Sequence, residues 1–200
     1  MKENKNWLSK VELCKELLEA DGDRVVLFIM DIDHSKDIFG QSINQKDLDY
    51  ILKSFNEVFT SEYSSFSQIG RDAFAGMFTC DKDYSLFNLM QQKQTFQSLL
   101  NNELDISQLT VCMGVSIYPE MCKKKEELFS FAYDALFSAK LKGPDNIEVS
   151  TSENMKLKSL YFRKSQLDKL SFFSNRTELS ESEIIRKALD DYLNKHMYEN

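Results

Sequence analysis

Arg24-Val-Val-Leu-Phe-Ile-Met-Asp31 is the stretch on which the fold turns. Residues 25–30 form an unbroken apolar run. Six residues cannot span a bilayer, and a fully apolar run between charged ends reads as a central strand covered on both faces. Before it, Trp7, Leu8, Val11, Leu13, Leu17 and Leu18 fall at near-helical spacing, predicting a helix over residues 5–20 that Asp21-Gly22-Asp23 ends. After it, residues 47–59 return to helical spacing through Leu48, Ile51, Leu52, Phe55 and Phe59. Residues 66–78 read as two short strands about a Gly-Arg-Asp turn, residues 84–100 as a helix and residues 108–118 as a strand. A helix over residues 126–142 stops at Gly143-Pro144. Strands and helices alternating in this way predict an α/β (α+β) domain around one sheet.

The 200 residues carry a net charge of −7, unevenly spread. Residues 151–200 hold nine Lys/Arg and eight Asp/Glu, a net of +1, which leaves −8 on the first 150. That asymmetry predicts two units with different work. We place a first domain at residues 1–150, a polar linker at 151–154 and a small domain at 155–200. The acidic balance opposes nonspecific nucleic-acid binding by the whole molecule. Cys14, Cys80, Cys112 and Cys122 share no Cys-x-x-Cys spacing and read as reduced thiols, neither a metal site nor a disulfide framework. Met-Lys-Glu-Asn-Lys-Asn at the start is not a secretory signal, so the expected location is cytoplasmic, without membrane contact. The fifteen Phe residues lie at helical or strand-interior spacing and read as core, not as a base-stacking platform. His34 reads as structural or exposed.

In the small domain, Lys156-Leu-Lys-Ser-Leu-Tyr-Phe162 predicts a short strand. Leu167, Leu170 and Phe173 then mark one helix, and Ile184, Ile185, Ala188, Leu189, Tyr192 and Leu193 a second. Ser182 sits where an N-cap belongs. One strand and two short helices cannot bury enough apolar area alone, so two copies are expected to interdigitate. Leu179-Ser-Glu-Ser-Glu-Ile-Ile-Arg-Lys-Ala-Leu-Asp-Asp-Tyr-Leu193, after such a strand and helix, resembles the second helix of the ribbon-helix-helix family. The resemblance implies a homodimer, or a higher oligomer, on double-stranded DNA at a palindromic operator. The paired strands would lie in the major groove and the start of the second helix would meet a phosphate. It assigns base reading to Ser159, Tyr161 and Arg163 and phosphate contact to Ser180 and Ser182. A slip of one residue in register would swap the two faces of the strand. The competing reading is a helical hairpin that only dimerises.

The first domain carries a second resemblance, in Phe28-Ile-Met-Asp-Ile-Asp-His-Ser-Lys36, Gln68-Ile-Gly-Arg-Asp-Ala-Phe74, Leu109-Thr-Val-Cys-Met-Gly-Val115 and Ala132-Tyr-Asp-Ala-Leu-Phe-Ser-Ala-Lys140. In order and spacing these segments are similar to the GGDEF (diguanylate cyclase) domain. The resemblance implies Mg²⁺ with a guanine nucleotide or cyclic dinucleotide as ligand, Asp31 and Asp72 as metal ligands, and Lys36, Arg71 and Lys140 near phosphate. A carboxylate pair of this kind holds the divalent ion that neutralises triphosphate charge.

The departures from that family are informative. Gly70-Arg71-Asp72-Ala73-Phe74 replaces the signature, so a methyl group stands where the family has a carboxylate, and Arg71 crowds the place of a glycine. Phe39 aligns with the guanine-reading Asn, and Ser61–Ser64 lacks the Arg-x-x-Asp product motif. Loss of one catalytic group commonly costs orders of magnitude in rate. The expected function is a dimeric DNA-binding regulator whose first domain is a catalytically inactive sensor or dimerisation scaffold. The alternatives are a nucleotidyl cyclase with altered substrate, and an antitoxin-like or DNA-processing accessory protein. With two carboxylates left, a metal site and a solvated strand end weigh equally.

Overall fold

A computed structural model describes residues 7–22, 24–60, 64–81, 84–106, 108–149, 157–177 and 179–198. The chain divides into two compact units, Met1–Ser152 and Glu153–Asn200. The expected linker at 151–154 lies outside the described residues. Among the described residues, no helix is long and apolar enough to cross a membrane.

The first unit is built on a five-stranded sheet in the order β2-β3-β1-β4-β5. β1 (Val25–Ile32) lies in the middle, antiparallel to β3 (Ala73–Thr79) and β4 (Val111–Tyr118). β2 (Ser64–Gln68) pairs antiparallel with β3, and β5 (Ile147–Val149) runs parallel to β4. Every residue of β1 is buried, as a strand covered on both faces requires.

The pleat sorts the core into two faces. Val26, Phe28 and Met30 share one face with Phe78 and Phe74 of β3 and with Ile117, Val115 and Met113 of β4. α3 (Gln45–Phe59) and α4 (Leu86–Leu104) cover it with Ile51, Phe55, Phe59, Leu89, Phe96 and Leu100. Gly76 makes room there, because a Cβ on it would come within 2.4 Å of the Phe28 ring. The opposite face carries smaller groups, and α5 (Leu128–Lys142) lies on it. A Cβ on Gly114 would stand 2.1 Å from the Leu136 nitrogen and 2.2 Å from the Ala132 oxygen, so the helix backbone rests directly on β4. α1 (Lys10–Glu19) lies beside α5, with the Lys10 ammonium 5.3 Å from the centre of the Tyr133 ring.

Several boundaries differ from the sequence reading. The first helix starts at Lys10, because Ser9 and Glu12 form a capping box there. Trp7 lies outside it, in a parallel bridge to Phe66 and packed on Phe55 and Phe66. The fourth strand starts at Val111, because the Leu109 N–H is taken by Asn101 Oδ1 at 2.8 Å. A 3-10 turn (Lys125–Glu127) precedes α5. Two elements escape the pattern altogether, α2 (Ser35–Phe39) and β5, both too short to show a period.

The second unit holds α6 (Lys164–Ser174) and α7 (Glu181–Tyr198). The strand expected over 156–162 is corrected. Residues 157–163 form no strand, and Lys156 lies outside the described residues. A lone strand has no ladder to join in a single chain. The N-cap is Ser180, not Ser182. The Glu183 N–H donates to Ser180 Oγ at 3.3 Å, and the Ser180 N–H donates to the Glu183 carboxylate at 2.8 Å. This is the Ser-x-x-Glu capping box, two residues earlier than the sequence suggested. No residue of α6 is buried.

Candidate functional site

Asp31 ends the part of β1 that pairs with β3, and Ala73 is its partner across that ladder. Directly opposed residues point to the same face, with Cβ atoms about 5 Å apart. The side chain at position 73 is therefore the one that would meet Asp31, and it is a methyl group. Asp72 is placed beside them by the β2–β3 turn, where its carbonyl accepts from the Ile32 N–H at 3.1 Å.

Each of the two carboxylates is bound by a cation of the chain itself. Lys140, in the last turn of α5, brings its ammonium to 2.6 Å from Asp31 Oδ1. The Arg71 guanidinium lies 2.8 Å from Asp72 Oδ2, and donates to the Gly40 and Gln41 carbonyls at 3.0 and 3.4 Å and to the Ser35 hydroxyl. Ser35, buried at the start of α2, also donates to Asp72. Burial raises the Asp31 carboxyl from 3.8 to about 6, against the opposing pull of Lys140. Burial works in the same direction on Asp72, but the bonds from Arg71 and Ser35 outweigh it and hold that carboxyl below its ordinary value.

Of the sequence-predicted residues, Asp31, Asp72, Arg71 and Lys140 come together. Lys36 does not, since it is exposed on α2. His34 is also exposed. Three polar residues of the neighbourhood were not anticipated. Ser35 is one. Asp33 is another, and accepts from the Thr110 hydroxyl at 2.8 Å and the Asp145 N–H at 2.9 Å, so it braces loops. The third is Lys93, buried on α4 and paired with Asp145. A cation on the Leu89–Phe96–Leu100 stripe of a helix is the signal that would have found it.

The donor set does not fit a divalent ion. Among the described residues, no three His, Cys, Asp or Glu side chains gather as a metal site. Asp31 and Asp72 are spoken for by Lys140 and Arg71, and Ala73 supplies nothing. Mg²⁺ is commonly held by one or two ionised carboxylates with water and phosphate oxygens, and here a dication would have to displace a cation of the chain from each carboxylate.

In the second unit, Ser159, Tyr161 and Arg163 are exposed on the segment before α6, and Ser180 and Ser182 at the start of α7. The Arg163 N–H bonds to the Gln166 side chain at 3.0 Å, capping α6. Ser180 is committed to its own capping box. Leu160, Phe162, Leu167, Phe173, Leu189 and Leu193 are all between 39% and 61% exposed, which leaves the unit an apolar surface that its own helices do not cover.

No curated protein matches the chain in sequence. Residues 159–197 match the family model of the ribbon-helix-helix domain. Solved structures similar to the chain include GGDEF domains. The GGDEF domain of YfiN (TpbB) from Pseudomonas aeruginosa has a TM-score of 0.59 at 14% identity, over 73% of this chain and 98% of that one. The active GGEEF domain of a diguanylate cyclase from Vibrio cholerae gives 0.53 at 16%, over 66% and 85%. The GGDEF domain of DgcB from Caulobacter crescentus, in complex with c-di-GMP, gives 0.54 at 18%, over 70% and 83%. The chain thus joins a unit with the fold of the GGDEF diguanylate cyclase domains to a ribbon-helix-helix domain at residues 159–197.

Proposed function

We propose that the protein is a dimeric DNA-binding regulator whose GGDEF-fold unit makes no cyclic dinucleotide and serves as a ligand sensor or dimerisation scaffold. The observation that carries the first half is the ribbon-helix-helix match over a two-helix unit with an uncovered apolar surface. A second copy covers that surface most economically, and pairing of the two 157–163 segments would supply the missing ribbon. Ser159, Tyr161 and Arg163 then face the major groove of a palindromic operator. The exposed start of α7, at Ser180 and Ser182, approaches the phosphates. The near-neutral charge of this unit gives weak nonspecific affinity, so recognition depends on dimer geometry.

Support for the second half comes from the GGDEF-fold site. Phosphodiester formation on this fold needs a metal between carboxylates, and here Ala73 faces Asp31 while Arg71 and Lys140 occupy the acids. The ligand class for such a sensor is a guanine nucleotide or a cyclic dinucleotide, by likeness to the DgcB domain solved with c-di-GMP.

Selection from a random duplex pool at low salt tests the reading. Enrichment of an inverted repeat is expected, and failure to enrich any duplex sinks it. Retention of Asp31 and Asp72 favours a cyclase with altered nucleotide choice as the second reading. A cyclic dinucleotide formed from any of the four NTPs with Mg²⁺ or Mn²⁺ would install that reading instead.

A further inference from the structure

The oxygens around Arg71 are of the kinds that ordinarily surround a hard metal ion: a carboxylate from Asp72, a hydroxyl from Ser35 and main-chain carbonyls from Gly40 and Gln41. They come from two separate pieces of chain. Asp72 belongs to the β2–β3 turn, and the others to the segment from Ser35 to Gln41 that contains α2 and follows β1. All of them converge on one guanidinium, whose side chain is only 20% exposed. A guanidinium has five N–H donors in a fixed plane and stays charged at every accessible pH. It can therefore satisfy several oxygens at once, permanently, with no exchange with solvent ions.

We propose that Arg71 is a built-in replacement for a divalent cation, gathering these oxygens, tying the β2–β3 turn to the α2 segment and closing the site to metal. The inference rests on the non-cyclase reading of this unit and deepens it. A sensor built this way is charge-balanced within itself, Arg71 against Asp72 and Lys140 against Asp31. It holds its shape at any Mg²⁺ concentration, and whatever anion it binds is held by side chains and main chain alone. Ala73 completes the arrangement. A carboxylate there would face Asp31, leave an acid that neither cation balances, and draw metal back in.

The full chain is titrated with Mn²⁺, free ion being followed by electron paramagnetic resonance, and its melting temperature is read in EDTA, MgCl₂ and MnCl₂. The wild type should take up no Mn²⁺ saturably at millimolar concentration, and its melting temperature should not respond to metal. Arg71→Gly should melt lower in EDTA and regain about 3 °C or more in saturating metal. Arg71→Gly with Ala73→Glu should add saturable Mn²⁺ binding that Asp72→Asn abolishes. Arg71→Lys keeps a cation in place and should remain metal-blind, so the proposal stays exposed to test even where the glycine variants fail to fold. Saturable wild-type binding that Asp31→Asn or Asp72→Asn removes would overturn the proposal. So would an Arg71→Gly variant that folds and ignores metal, or an Arg71→Lys variant that binds it. Wild-type metal binding without any cyclic dinucleotide product would overturn this inference alone, leaving the proposed function intact. Product formation is the separate result that defeats the function.

Discussion

The Lys140 ammonium reaches from the last turn of α5 to 2.6 Å from the Asp31 carboxylate at the end of the central strand. The pair ties α5 to β1, while the backbone of the same helix rests on the neighbouring strand β4 at Gly114. It also shows which force wins on a buried acid. Asp31 is 6% exposed, and desolvation outweighs the nearby cation, so its carboxyl titrates near 6.

The pH dependence of stability follows from that shift. A carboxyl whose proton affinity is higher in the folded state contributes its full stability below the ordinary value and loses it as pH rises through the folded one. From 3.8 to about 6, at about 1.4 kcal/mol for each tenfold in proton affinity, this loss is about 3 kcal/mol. Asp31→Asn removes the titration. Urea unfolding between pH 4 and 7 should show the variant gaining on the wild type as pH rises. The attraction to Lys140 is already contained in that shift, because the pair forms only as Asp31 ionises. A difference that does not change with pH would refute the assignment.

Gly114→Ala tests the contact between α5 and the sheet. The new methyl would collide with backbone atoms of Leu136 and Ala132, which cannot swing aside as a side chain can. The substitution should cost about 3 kcal/mol or more by equilibrium unfolding. A melting temperature within a degree or so of wild type would mean that α5 sits farther from β4.

The capping residue of α7 separates two neighbouring serines. Ser180→Ala should cost about 1 kcal/mol of the stability of this unit. Ser182→Ala, in the first turn and outside the capping box, should change it by less than about 0.5 kcal/mol. Equal costs would place the cap elsewhere.

Leu193→Asp puts a charge on the exposed apolar surface of α7. If a second copy covers that surface, the variant should sediment as a monomer and its affinity for a selected duplex should fall by about 100-fold or more. The GGDEF-fold unit should melt unchanged. A variant that remains dimeric would move the dimer contact off this face.

Much of the architecture could be read from residue patterns. The apolar run at 25–30 marks the central strand because both of its faces are covered. Phe28, Phe55, Phe66, Phe74 and Phe96 are core because they recur at the period of their elements. Asp31, Asp72, Arg71 and Lys140 were legible as a group from the order of the motifs. What the pattern could not supply was their pairing. Arg71 was expected to crowd the place of a glycine near phosphate, and which oxygens it would take depends on how the α2 segment curls back, a five-residue helix with no periodic signature. Ser182, with Glu183 after it in the first turn, sits where the sequence places an N-cap. The Glu three residues after Ser180 decides otherwise. The 157–163 segment resists a single-chain reading for a physical reason, since strand pairing is not a property of one strand.

Trp7 has an experimental consequence. It is the sole tryptophan of the chain, its indole N–H is bonded to Asn56 Oδ1 at 3.1 Å, and its ring packs among Phe55, Phe66 and Phe74. Its fluorescence therefore reports on the packing of the sheet-containing unit. Emission and far-ultraviolet circular dichroism recorded on one sample would resolve the unfolding of the two units without cutting the chain or adding a label.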